Sequence, residues 1–268
     1  MNICVNVDKN YLRHLYVLLL SLFINNASDS LVIHVIKLGD FDEEALRIFC
    51  AKFGVQVYFY DVSHLLEGLC ATGRFTPAIF GRLLIPELVK VDEVTYLDID
   101  MYVTNSLSKL CDMKIGDGEI LAVEEADSRL VKRLKAKYEL DTYFNAGMFK
   151  VKIGPKTRAS FKEAFELAST GVYEYHDQDV LNIAFRGQFS SIDTKYNYMG
   201  YVKQNHMPYI IHYAHSKPWD KFCFNAYQYK YLSALGVLEN ILPSSQKYPI
   251  TIKSFIKFVY FKLKGFIF

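Results

Sequence analysis

The feature that most restricts the fold of this chain is an alternation of strand-like and helix-like runs over its first hundred residues. ICVNV (Ile3–Val7), LVIHVIK (Leu31–Lys37) and VQVYFYD (Val55–Asp61) are short, apolar and rich in β-branched or aromatic residues, which is the signature of strands. Between them, Tyr11–Asn25 carries helix-compatible apolar spacing. Phe41–Phe53 does the same and opens on Asp42, Glu43 and Glu44, charges that suit a helix N-terminus. A βαβαβ series predicts an α/β layered sheet rather than a bundle or a sandwich. A further helix is expected over Pro77–Lys90, bent or shortened by Pro86, and then EVTYLDIDMYV (Glu93–Val103) reads as a buried strand ending in carboxylates. Beyond position 115 the alternation loosens: EILAVEE and FNAGMFKVK read as strands, Lys156–Ser169 and Gln178–Phe185 as helices.

Composition narrows the class. Hydrophobic residues make up 51% of the chain and charged residues 22%, which excludes a disordered tail protein. The 31 basic and 29 acidic side chains nearly cancel, so nucleic acid is not an expected partner. The five cysteines form no Cys-x-x-Cys pair, which argues against a disulfide framework or a structural zinc site and for a reducing, cytoplasmic setting. The apolar run Leu15–Ile24 is half the length of a spanning helix, and Asp8 lies where a signal peptide would be basic, so residue 1 is read as the mature start.

The charge is uneven. No Asp or Glu follows Glu239, whereas Lys247, Lys253, Lys257, Lys262 and Lys264 do. On a helical wheel Lys253, Lys257 and Lys264 cluster, with Ile252, Phe255, Ile256, Val259 and Leu263 around the other side. That pattern predicts an amphipathic helix on an anionic bilayer. A helix docked on the body or on a second copy is the alternative. The division expected is a domain over residues 1–240 and a membrane-association segment over 241–268.

The chemistry centres on YLDID. Strand alternation points Asp98 and Asp100 to one face, with Ile99 turned toward the core. Two ionised carboxylates so placed are tolerable beside a divalent cation, and hard oxygen donors suit Mn²⁺ or Mg²⁺. A solvated strand end would explain the triplet as well. Phosphatases of the haloacid dehalogenase type also carry Asp-x-Asp after an apolar strand, usually with Thr or Val where this chain has Tyr102, and near their first strand rather than after three others.

Six motifs in order resemble glycosyltransferase family 8: DKNY (8–11), FGRLLIPEL (80–88), YLDID (96–100), FNAGMF (144–149), HDQDVLN (176–182) and IHYAHSKPW (211–219). The resemblance implies a GT-A fold, a Rossmann-like sheet with helices on both faces. It further implies transfer of a hexose from a UDP-sugar with retention of anomeric configuration, as in bacterial lipopolysaccharide galactosyl- and glucosyltransferases and glycogenin. Asp98, Asp100 and His212 then match the metal ligands. Asp8, Asn10 and Tyr11 match the nucleotide pocket, joined in donor binding by Arg82, Asp98, Ile99, Lys217 and the sugar-pocket residues Asn145, Ala146 and Gly147. Gln178, Asp177 and Glu125 match positions beside the reacting sugar. Gln178 lacks the charge of a good nucleophile, so front-face attack is expected over a covalent intermediate.

One departure stands out. The family usually shows His-x-x-Gly-x-x-Lys-Pro-Trp, and this chain has His212-Tyr-Ala-His215-Ser-Lys217-Pro-Trp, one residue shorter and without the glycine. His215 is a candidate replacement donor to the diphosphate. The reading that follows is a Mn²⁺-dependent retaining hexosyltransferase, using UDP-galactose or UDP-glucose, at the cytoplasmic face of a membrane on a lipid-linked or lipopolysaccharide-type acceptor. A scaffold that binds sugar nucleotide without turnover is the alternative.

Overall fold

A computed structural model of the chain describes residues 1–69, 71 and 76–238. The segment Thr251–Phe268, for which an amphipathic helix is expected, and the boundary at 240 lie outside the described residues.

The opening series forms as read: β1 (Asn2–Asp8), α1 (Leu12–Asn25), β2 (Val32–Leu38), α2 (Glu43–Ala51) and β3 (Gln56–Asp61). Asp42 caps α2 by accepting from the Ala45 amide at 2.9 Å, and Glu43 and Glu44 fill its first turn. After a 3₁₀ segment (Pro77–Leu84) come α3 (Ile85–Leu88), β4 (Glu93–Leu97), β5 (Met101–Val103), α4 (Ser108–Cys111) and β6 (Ile120–Glu124). The rest is α5 (Arg129–Tyr138), β7 (Phe144–Lys152), α6 (Pro155–Thr170), α7 (His176–Ala184), β8 (Phe189–Ser191), β9 (Ile210–His212) and α8 (Gln228–Leu238).

Seven strands form one sheet in the order β3-β2-β1-β4-β7-β6-β8, with β7 antiparallel to both its neighbours. Burial on both faces explains the apolar run Ile3–Val5 and Val7 in β1. Ile3, Val5 and Val7 face a core with α1, whereas Cys4 faces the opposite core with the 3₁₀ segment, α6 and α7. Leu15–Phe23 of α1 is buried along its whole length. Among the described residues no helix is long and apolar enough to cross a membrane.

Three details differ from the sequence reading, and each shapes the site. Glu93–Val103 is two strands, not one: β4 belongs to the main sheet, while β5 pairs with β9 in a separate two-stranded sheet. The chain changes sheets at Asp98–Ile99–Asp100. Ile99 is consequently half-buried and lines a pocket instead of pointing only into the core. The expected helix over Pro77–Lys90 is instead a 3₁₀ segment followed by a single α turn, with Pro86 in that turn's first positions. The tight segment is pressed onto the sheet: a Cβ on Gly81 would stand 3.0 Å from Cγ2 of Ile36, and the Asn6 side chain donates to the Ala78 carbonyl. The third is an irregularity in the β6–β7 ladder. Ala122 pairs with Phe149 but the adjacent Val123 pairs with Asn145, so Ala146–Met148 bulges from β6 within the FNAGMF motif.

Candidate active site

Asp98 and Asp100 flank the point where the chain leaves the main sheet, and the pairing of Met101 with His212 carries the imidazole to them. One ligand atom from each of Asp98, Asp100 and His212 lies within 4.8 Å of the others. His212 Nε2 is 3.8 Å from Asp98 Oδ2 and 3.3 Å from Asp100 Oδ1.

The surrounding hydrogen bonds fix which imidazole nitrogen carries the proton. The Gly147 amide and Asn197 Nδ2 both donate to Asn145 Oδ1, at 3.0 and 2.9 Å. With its nitrogen so used, Asn197 turns its oxygen to His212 Nδ1 at 2.9 Å, which must donate. Nε2 is thereby the nitrogen aimed at the two carboxylates: a protonated ring donates to them, and a ring protonated only on Nδ1 offers its lone pair beside them to a cation. The space is kept open by Gly147, where a Cβ would fall 2.4 Å from His212 Cε1 and 2.9 Å from Asp98 Oδ2. Two carboxylates and a neutral imidazole fit a divalent cation of the Mn²⁺ or Mg²⁺ kind.

Cationic side chains hold the carboxylates in place. Arg82 is buried, pairs with Asp98 Oδ1 at 2.7 Å and Asp177 Oδ2 at 3.0 Å, donates to the Ala146 carbonyl at 2.8 Å and lies over the Tyr96 ring. The Tyr96 hydroxyl stands between Asp98 Oδ1, at 2.8 Å, and Asn6 Oδ1, its one proton shared between the two oxygens. Lys217 pairs with Asp100. Burial works against ionising Asp100, but Lys217 and His212 outweigh it and hold this carboxyl well below the usual range. For Asp177 burial wins over Arg82, and its carboxyl is pushed up to about 6.

On the side of the bulge, Asn145 Nδ2 donates to Glu125 Oε1 at 2.9 Å and Gln178 Oε1 at 3.2 Å, and the Ala146 amide reaches the same Gln178 oxygen at 3.1 Å. Glu125, Asn145, Ala146, Gly147, Asp177, Gln178, His212 and the exposed His215 all line a cavity of 500 Å³. A neighbouring cavity of 340 Å³ is lined by Asp8, Tyr11, Ile99 and Trp219. Arg82, Asp98, Asp100, Lys217 and Ile79 border both. The shorter loop after His212 thus still delivers Lys217 to the junction.

Asp8 and Asn10 do not cap α1, whose N-cap is Tyr11 without a side-chain bond. Asp8 instead closes its own turn, accepting from the Asn10 amide at 2.8 Å, and takes the Thr76 hydroxyl at 2.9 Å. Asn10 is absent from the lining of both cavities. The sequence reading missed Asn197, Tyr96, Asn6 and Trp219 as builders of the site. For Trp219 a signal was available, since it ends the Lys-Pro-Trp run.

Known proteins resemble this chain over most of its length. The family model for glycosyl transferase family 8 matches residues 2–223. General stress protein A of Bacillus subtilis is 27% identical over 263 residues, covering 86% of this chain and 91% of that protein. Lipopolysaccharide 1,3-galactosyltransferase of Salmonella typhimurium is 30% identical over 214 residues, which is 73% of this chain but only 63% of that protein. Lipopolysaccharide 1,2-glucosyltransferase of Escherichia coli is 27% identical, covering 83% and 73%. The crystal structure of the galactosyltransferase LgtC in complex with donor and acceptor sugar analogs shares the fold, with a TM-score of 0.78 at 24% identity over 91% of this chain and 98% of that one. The fold is therefore GT-A, and with its motifs matched from residue 2 to residue 223 the chain belongs to glycosyl transferase family 8.

Proposed function

We propose that this glycosyltransferase moves galactose or glucose from a UDP-sugar to a glycan acceptor of the lipopolysaccharide or cell-surface type, with a divalent metal and retention of configuration. The observation that carries this reading is His212 Nε2 aimed between Asp98 and Asp100 at the junction of two cavities, with Nδ1 taken by Asn197. Asp98, Asp100 and His212 would hold Mn²⁺ or Mg²⁺, which supplies Lewis-acid stabilisation of the departing diphosphate. Lys217 and Arg82 add fixed positive charge beside the same oxygens. The smaller cavity suits the nucleoside, with Asp8 and Tyr11 on its wall, and the larger suits the hexose.

Gln178 is a poor nucleophile on two counts. Its amide is uncharged, and its oxygen already accepts from Ala146 and Asn145. The reaction is then front-face. The bond from the anomeric carbon to the diphosphate oxygen breaks, the acceptor oxygen bonds to the same face, and the departing phosphate oxygen takes the acceptor's proton. Glu125 and Asp177 contribute negative potential around the positive charge that develops on the sugar.

Incubation with a panel of UDP-sugars, with and without Mn²⁺, tests the reading. Metal-dependent turnover of UDP-galactose or UDP-glucose is expected, and proton NMR should show an α-linked first product. A β product would overturn the retaining mechanism. For the tail, the sequence supports docking at the cytoplasmic face of an anionic membrane. Removal of Thr251–Phe268 should release the protein from anionic vesicles in a flotation assay while UDP-sugar hydrolysis persists.

A further inference from the structure

Trp219 is the single tryptophan of the chain, and aromatic rings hold it on three sides. Its indole stacks on the His14 imidazole, with ring centres 3.6 Å apart and planes 17° from parallel. Tyr231 stands 5.9 Å away at 55°, and Tyr11 meets the indole edge-on at 6.0 Å. His14 belongs to the first turn of α1 and Tyr231 to α8, segments far apart in sequence. The two are joined directly, because His14 Nδ1 is hydrogen-bonded to the Tyr231 hydroxyl. His14 is 1% exposed, and burial together with the nearby Arg13 pushes its imidazole down to about 3. At neutral pH the ring is an uncharged plate, suited to stacking.

Lys217 precedes Trp219 by two residues, and the fixed φ of Pro218 stiffens the link between them. Lys217 and Trp219 border the same 340 Å³ cavity. No residue of α8 lines either cavity, so its contribution is indirect. We propose that His14 and Tyr231 are positioning residues for donor binding: they fix the roll of the Trp219 indole and, through Pro218, hold the Lys217 ammonium at the diphosphate end of the cavity. The inference rests on the donor-binding reading of Lys217 given above.

Trp219 is its own reporter. UDP is titrated against tryptophan emission, beside steady-state kinetics and thermal melts, for His14→Ala, His14→Phe, Tyr231→Phe and Lys217→Ala. His14→Ala should red-shift the nucleotide-free emission and raise the UDP Kd and donor KM about three- to tenfold, with a smaller fall in kcat because Lys217 also faces the departing diphosphate. His14→Phe restores a flat apolar plate and should recover most of the emission and KM. Unchanged emission and KM in His14→Ala overturn the proposal. Equal losses in the Ala and Phe variants, with the melting temperature falling alongside, overturn it too, because that is general destabilisation. Should His14→Ala fail to fold, Tyr231→Phe decides. A donor KM raised about two- to threefold at unchanged melting temperature supports the pair, and a wild-type KM overturns it. Wild-type UDP affinity in Lys217→Ala, with the Trp219 emission unaltered, breaks the donor reading instead, so the two failures are distinguishable.

Discussion

The two cavities meet at Arg82, Asp98, Asp100 and Lys217, yet they are built differently. On the β7 side, Asn145 has its oxygen and its nitrogen each engaged twice, and Gln178, Glu125, Asn197 and His212 are locked to it in one chain of hydrogen bonds. On the β1 side the wall is a turn, Asp8–Tyr11, and aromatic rings held by contact. On the proposed reading the first is preorganised for charge that develops during reaction, where a small misplacement is costly. On the proposed reading the second holds a group that does not react, and contacts of that kind act mainly on affinity. Substitutions on the two sides should therefore separate into losses of kcat and losses of KM.

The junction should be the most sensitive place of all. Asp98→Asn and Asp100→Asn each remove charge without removing volume, so transfer should fall by about a thousandfold or more while the fold persists. Full activity at ordinary metal concentration in either variant would sink the metal assignment. Asp177 offers a test on stability. Its folded value of about 6 is raised from the usual value near 4, so its contribution is fully present below pH 4 and is lost as the pH rises through 6. Between pH 4.5 and 7.5 the wild type should lose about 2 kcal/mol relative to Asp177→Asn. Denaturant melts at the two pH values measure it, and parallel behaviour of the chains would show that Arg82 already keeps Asp177 ionised in acid.

What was legible in the sequence is what leaves a pattern along the chain. Periodicity carried β1 to β3, α1 and α2 because each buries enough apolar surface to leave a pattern. The same logic joined β4 to β5: an apolar strand reads alike whether or not it changes hydrogen-bond partners midway. Over Pro77–Leu84 a repeat of three and one of 3.6 are indistinguishable, and what tightens the segment is the approach of Gly81 to Ile36, a contact distant in sequence. In α5 only Val131 and Leu134 are buried, too few to stand out among its charges. Asp98 and Asp100 were legible because charge is rare beside such a strand. Asn197 was not, since a lone asparagine has many ordinary roles and its partners lie at positions 145 and 212.

Within the locked network, the expected losses are intermediate. Gln178→Ala should lower turnover about 10- to 100-fold, or about 1.4 to 2.7 kcal/mol of barrier stabilisation, without erasing it. A trapped glycosyl adduct on Gln178 would contradict the front-face route directly. Asn197→Leu leaves the metal ligands untouched but frees the His212 ring to rotate or to change tautomer. Mn²⁺ affinity, read by calorimetry, should weaken about 10- to 100-fold. Wild-type affinity in that variant would mean the carboxylates alone define the metal position.

The smallest effect should come from the contact-built side. The Tyr11 ring is half-buried on the wall of the 340 Å³ cavity and edge-on to Trp219, so it presents a face on which a pyrimidine can stack. One such stack contributes on the order of 1 kcal/mol, so Tyr11→Ala should raise the donor KM about fivefold and leave kcat near wild type. Tyr11→Phe keeps the ring and should change neither. Asp8→Ala is the informative neighbour. Its carboxylate organises the turn through the Asn10 amide and the Thr76 hydroxyl, so its loss should displace Tyr11 as well and weaken UDP more than Tyr11→Ala does. If Tyr11→Ala lowers kcat as strongly as Gln178→Ala, the nucleotide wall is transmitting strain to the reacting centre, and the division between a binding side and a reacting side fails.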